Sequence, residues 1–189
     1  MESRLNAKEL IEKIGRDARE LYGNGSMCCS EAVLTVINRE FDGGLSEEVA
    51  IALSKGFCGG IGDAGCVCGA LAGAVMAQSL ILGKGPLPVE DEPVRKASKE
   101  LHDRFSARHG SICCRILSKD RDPNSESKGI CLDYVESAAN ICAHLLLAPA
   151  SIQENIEQER QEPPMKLNCN TELPNRNAQM HAANSDRQF

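Results

Sequence analysis

Two short stretches of the chain share one pattern. Gly25-Ser26-Met27-Cys28-Cys29 and Gly110-Ser111-Ile112-Cys113-Cys114 each set a glycine, a serine suited to capping a helix, an apolar residue and two adjacent cysteines in a row. If each serine is the N-cap, the paired cysteines fall at the second and third helical positions, where backbone N–H groups lack intrahelical acceptors and the macrodipole is positive. Thiols there are expected to have lowered pKa values and to be available as thiolates, the form that attacks disulfides and binds metals. Asp63 can cap a further helix, carrying Cys66 in its first turn and Cys68 two residues on, and Cys131 opens another apolar stripe. Seven of the ten cysteines thus gather at four expected helix starts. Cysteines serving only as small core hydrophobes would be scattered along apolar faces, as Cys142 is.

An iron-sulfur cluster is an anion that needs several thiolates and gains from N–H donors to its sulfurs, which converging helix starts would supply. No Cys-x-x-Cys-x-x-Cys run occurs, so the cluster type stays open. Zinc held by four thiolates is an alternative, and so is a cofactor-free thiol-disulfide oxidoreductase in which the vicinal pairs shuttle disulfides. The chain has no Cys-x-x-Cys and no Cys-x-x-Cys-His, which removes the usual dithiol active site and covalent c-type haem attachment. Gly60-Ile61-Gly62-Asp63-Ala64-Gly65 fits a dinucleotide fingerprint in letters only, because no strand precedes it. Its better functional reading is a loop whose N–H groups approach a cofactor.

These sulfurs need helices to hold them. Ala7, Ile11, Ile14, Ala18 and Leu21 recur at helical spacing until Gly23-Asn24-Gly25 stops them. Ser26 is expected to cap a second helix to about residue 39, and Ser46, with Glu47 and Glu48 behind it, a third that ends before Gly59 and Gly60. A fourth helix is expected from about Ala64 to Leu82, with Gly65, Gly69, Gly73 and Ala77 on one stripe where another backbone can approach closely. That stripe could serve intrachain packing or a homodimer equally well. Val94, Ala97, Leu101 and Phe105 give a fifth helix after a proline-rich connection, a short sixth follows Ser111, and a seventh carries Cys131, Val135, Ala138, Cys142 and Leu145. Cys131 and Cys142 share a face but stand about 16 Å apart at helical rise, too far for one cluster, so Cys142 belongs to the core. His109, near a helix end, is expected to meet terminal carbonyls.

The expected architecture is all-α: a compact multi-helix bundle over residues 1–149, followed at 150–189 by a polar helix and a disordered C-terminal tail that contains Cys169. Only six residues are aromatic and none is Trp, so the core must be built from small side chains at close spacing, which favours helices. A net charge of −6, with no basic cluster interleaved with aromatics, argues against nucleic acid as a partner. The weakly polar run from Cys66 to Gly83 is too short to span a bilayer. No secretory leader opens the chain, so a cytoplasmic location is expected, with the cysteines serving metal or redox chemistry rather than structural disulfides.

With these residues in view, the chain resembles the redox-active family named for its pattern C_GCAxxG_C_C over roughly residues 20–145. The family's first cysteine matches Cys29 in Cys29-Ser30-Glu31-Ala32-Val33-Leu34, and its central motif matches Cys68-Gly69-Ala70-Leu71-Ala72-Gly73. Its third matches Cys114, before Arg115-Ile116-Leu117, and its fourth Cys131, before Tyr134-Val135. A related domain occurs in split-Soret cytochromes, where an iron-sulfur centre accompanies haem. The resemblance therefore implies a redox protein with Cys29, Cys68, Cys114 and Cys131 as metal ligands, working in electron transfer or redox sensing with a redox partner protein. Cys28, Cys58, Cys66 and Cys113 depart from the pattern; as extra cofactor-binding thiols they would allow a larger or a second centre.

Overall fold

The computed structural model describes residues 6–84, 92–120 and 129–148. Among these described residues seven helices are formed: α1 (Ala7–Gly23), α2 (Cys29–Glu40), α3 (Glu47–Ser54), α4 (Gly69–Leu82), α5 (Glu92–His109), α6 (Cys114–Leu117) and α7 (Cys131–Leu147). Among the described residues no strand forms, and the one extended pairing is an antiparallel bridge of Val67 with Cys113. The fold is all-α. The polar helix and tail expected beyond Pro149, with Cys169, lie outside the described residues.

Two helices begin at side-chain caps that satisfy free N–H groups. Asn6 and Glu9 cap α1 reciprocally, at 3.0 and 2.9 Å, and the Ser46 hydroxyl accepts from the Val49 amide at the start of α3. The other starts differ from expectation. Ser26 does not cap α2: its own amide donates to Asn24 Oδ1, turning the chain before Met27 is buried, and Cys28 becomes the N-cap. Cys113, not Ser111, holds the same position before α6.

The largest displacement is at α4, which starts at Gly69 rather than Ala64. After a short 3-10 turn, Lys55–Phe57, five successive residues from Gly59 to Asp63 take positive φ, between 57° and 77°. Ile61 is among them, although a β-branched side chain strongly disfavours that region. A right-handed helix cannot continue through such a segment, so Asp63 caps nothing, and Gly65 belongs to the loop rather than to the small-residue stripe.

The core is one cluster of small and medium side chains, as the scarcity of aromatics requires. α1 packs on α7, α2 on α4, and α4 on both α5 and α7, burying Ile14, Val33, Ile37, Leu101, Phe105 and Val135 completely. Cys142 lies in this core with its thiol on the Ala74 carbonyl. What remains of the stripe is occupied within the chain, since a Cβ on Gly73 would lie 2.5 Å from the Ser30 carbonyl oxygen and 3.0 Å from its Cα. Backbone cannot retreat as a side-chain tip can, so Gly73→Ala should cost about 1–3 kcal/mol in a urea titration. Gly56→Ala, where nothing lies within 4 Å, should stay within about 0.5 kcal/mol.

Candidate metal centre

Four elements deliver cysteines to one place. Cys29 is the first residue of α2, Cys68 the N-cap of α4, Cys114 the first residue of α6 and Cys131 the first of α7. All four line a single cavity of about 640 Å³, together with Cys28, Cys58 and Tyr134.

Backbone pairing sets Cys68 beside Cys114. The Cys68 amide donates to the Ile112 carbonyl at 2.8 Å, the Cys114 amide to Cys66 at 2.5 Å and the Arg115 amide to Gly65 at 3.0 Å, flanking the Val67–Cys113 bridge. Glycines then admit the remaining walls. A Cβ on Gly69 would overlap Cys29 Sγ, which places that sulfur against the first turn of α4, and one on Gly60 would lie 2.6 Å from Cys114 Cβ. The left-handed turn therefore floors the cavity. Opposite it, the Tyr134 hydroxyl donates to the Leu117 carbonyl at 3.2 Å, tying α7 to α6.

The remaining thiols divide. Cys28 and Cys58 are joined in a disulfide, with Cα atoms 6.0 Å apart. Cys66 and Cys113 do not line the cavity, contrary to their expected share in the cofactor. Cys66 is exposed, and Cys113 is buried with its thiol donating to the Gly65 carbonyl at 3.3 Å. The physical reason at Cys113 is local: its backbone pairs with Val67 and its thiol is turned onto the Gly65 carbonyl, away from the cavity.

At Cys29 and Cys114 the thiol pKa is raised where lowering was expected, and it is raised at Cys68 too. Burial pushes Cys68 up to about 12, the charges of Cys29 and Cys114 adding to it while the Leu71 and Ala70 amides oppose. Burial, then the neighbouring Cys29, Cys131 and Cys113, raise Cys114 to about 11. Cys29 is also raised, by burial and by Cys131, against amide donors at Gly59 and Ser30. Helix-start N–H groups do favour the thiolates, but desolvation and mutual repulsion outweigh them.

The family described as "Putative redox-active protein (C_GCAxxG_C_C)" matches over residues 27–145. The chain belongs to this family. No curated protein and no solved structure matches it. The C_GCAxxG_C_C match runs from just before the Cys28–Cys29 pair to the last turns of α7, and so takes in every cysteine of the cavity. Among the described residues, no helix is long and apolar enough to cross a membrane.

Two features escaped the sequence reading. Glu31 is largely buried in the cavity wall, its carboxylate accepting from the Cys28 amide at 2.8 Å; the three-residue spacing is that of a capping box and was a readable signal. His109 does not meet terminal carbonyls. Its Nε2 pairs with Ser137 Oγ at 2.9 Å, and its ring packs on Phe105 and edge-on to Tyr134, with centroids 4.6 and 4.9 Å away. Burial, and then Arg108, hold its pKa below the ordinary 6.5. Above that pH neither folded nor unfolded chain is protonated there. As pH falls below 6.5 the unfolded chain binds the proton first, so stability drops until the folded pKa is passed. Melting temperature should decline over that interval, and His109→Gln should flatten the decline.

Proposed function

We propose that this protein binds an iron-sulfur cluster through Cys29, Cys68, Cys114 and Cys131 and serves in electron transfer or redox sensing. The observation that carries the reading is the convergence of these four thiols, from four separate elements, on one cavity. The donor set fits the group: soft thiolates are what iron-sulfur centres take, and the amides near Cys29 and Cys68 supply the N–H donors that an anionic cluster favours.

Spacing favours a polynuclear centre over zinc. Ligands of one ion lie at most twice a Zn–S bond of about 2.3 Å apart. Among the described residues, the one trio of candidate ligand atoms all within 4.8 Å of each other is Cys28, Glu31 and Cys58, not any three of the four. A multi-atom inorganic core tolerates wider separation. When bound, such a cluster supplies one-electron transfer. The protein's own part is to hold the four sulfurs and to release the protons that raised pKa values keep on Cys29, Cys68 and Cys114.

The Cys28–Cys58 disulfide at the same cavity favours a second reading, a cofactor-free thiol oxidoreductase working with a dithiol partner. Anaerobic purification separates the two. Iron and acid-labile sulfide in whole-number ratio to protein are expected; metal-free protein with a reversible two-electron thiol titration would select the second reading.

A further inference from the structure

Glu31 is a buried carboxylate, 7% exposed, and no cationic side chain pairs with it among the described residues. Arg115 lines the same cavity, but its guanidinium donates to the Ala64 carbonyl at 2.9 Å. Buried charges are ordinarily paired or bound to metal, and a single amide hydrogen bond from Cys28 is thin compensation. Beside this carboxylate lie the two sulfurs of the Cys28–Cys58 disulfide, and the three candidate donor atoms are all within 4.8 Å of one another. Ser30 Oγ, whose proton goes to the Ser54 carbonyl at 2.8 Å, stands 3.5 Å from one sulfur and 3.4 Å from the other.

We propose that Cys28, Cys58 and Glu31 form a second, redox-gated site for one thiophilic divalent cation of the zinc class, distinct from the four-cysteine centre. With the disulfide closed, neither sulfur carries charge and the site cannot take the ion. A dithiol reductant opens it: the S–S bond accepts two electrons and two protons, giving two thiols, while the reductant becomes a disulfide. The cation then displaces both thiol protons and binds two thiolates and the Glu31 carboxylate, leaving a fourth position toward the cavity, as in three-ligand zinc sites. The ion supplies the positive charge that Glu31 lacks. Ser30 Oγ, with its proton committed to Ser54, accepts from a thiol while the site is empty.

The site stands independently of the cluster reading, and one set of samples separates them. Full-length protein is prepared with the disulfide intact and after dithiol treatment, and zinc is titrated against a chromophoric chelator, with iron and sulfide measured on the same samples. Reduced protein should take one zinc more than oxidised protein. Cys58→Ser should lose that zinc while keeping iron and sulfide, and Glu31→Gln should weaken it at least about tenfold, one charged ligand fewer. Zinc should also shield Cys28 and Cys58 of the unmutated protein from alkylation, a readout that does not depend on any variant folding. Equal zinc uptake in both redox states overturns the proposal, as does an extra zinc that survives Cys58→Ser. Loss of iron and sulfide in Cys58→Ser overturns it too, by assigning the pair to the cluster. Absence of iron from every sample refutes the cluster and leaves the zinc difference to be read by itself.

Discussion

Cys114→Ser is expected to lower iron and acid-labile sulfide from stoichiometric to less than about a tenth, and Cys29→Ser, Cys68→Ser and Cys131→Ser to do the same. Each of these side chains faces the cavity from a different element, so none can substitute for another. Serine keeps the size but offers a far weaker ligand. Two controls give the result its meaning. Cys66 is exposed and outside the cavity, and Cys142 is fully buried against the Ala74 carbonyl, so Cys66→Ser and Cys142→Ala should retain full iron, the latter at some cost in stability. If all four cavity variants kept their iron, the ligand assignment would fail.

Gly60→Ala is expected to be strongly damaging in the left-handed turn beside the cavity. Its φ is +77°, which costs an alanine about 1–2 kcal/mol. The new methyl would also sit 2.6 Å from Cys114 Cβ and 2.8 Å from the Cys66 amide nitrogen. Overpacking of that kind adds about 1–3 kcal/mol. Together these should lower the melting temperature by on the order of 10 °C. Cofactor content should fall with it, because the relief available to the loop is to push Cys114 out of place. Gly25→Ala separates the two terms: its φ is +84° with nothing within 4 Å, so only the conformational cost should appear. Equal losses at the two positions would show that packing against Cys114 contributes nothing.

The helices were legible because their apolar spacing is regular: Ile14 and Ala18 on α1, and Val135, Ala138 and Cys142 on α7, are fully buried as their periodicity requires. Cysteine concentration at helix starts was legible too, but the starts themselves shifted. Serine and aspartate are good caps in isolation, yet Ser26 is consumed by the Asn24 turn and Asp63 sits in a left-handed segment, so cysteines took the cap positions. That segment was illegible because Ile61 argues locally against it; what holds it is long-range, including the Cys114 amide on the Cys66 carbonyl and the Arg115 amide on Gly65. The direction of the thiol pKa shifts was missed for a related reason. Reading helix ends one at a time accounts for the dipole, whereas burial and repulsion among sulfurs exist only once four ends meet.

The cavity walls come from residues scattered between Tyr22 and Val135, with most of the folded chain looped between them. Closing such large loops is entropically costly and slow, so this pocket is among the last things the polypeptide completes. Before that moment the chain carries ten cysteine thiols that no fold yet tells apart. On the proposed reading, helices condense first and the assembled bundle then accepts the cluster. Cofactor content would then report that the five helices lining the pocket, α1, α2, α4, α6 and α7, have docked, a quality mark for most of the bundle rather than for one locality.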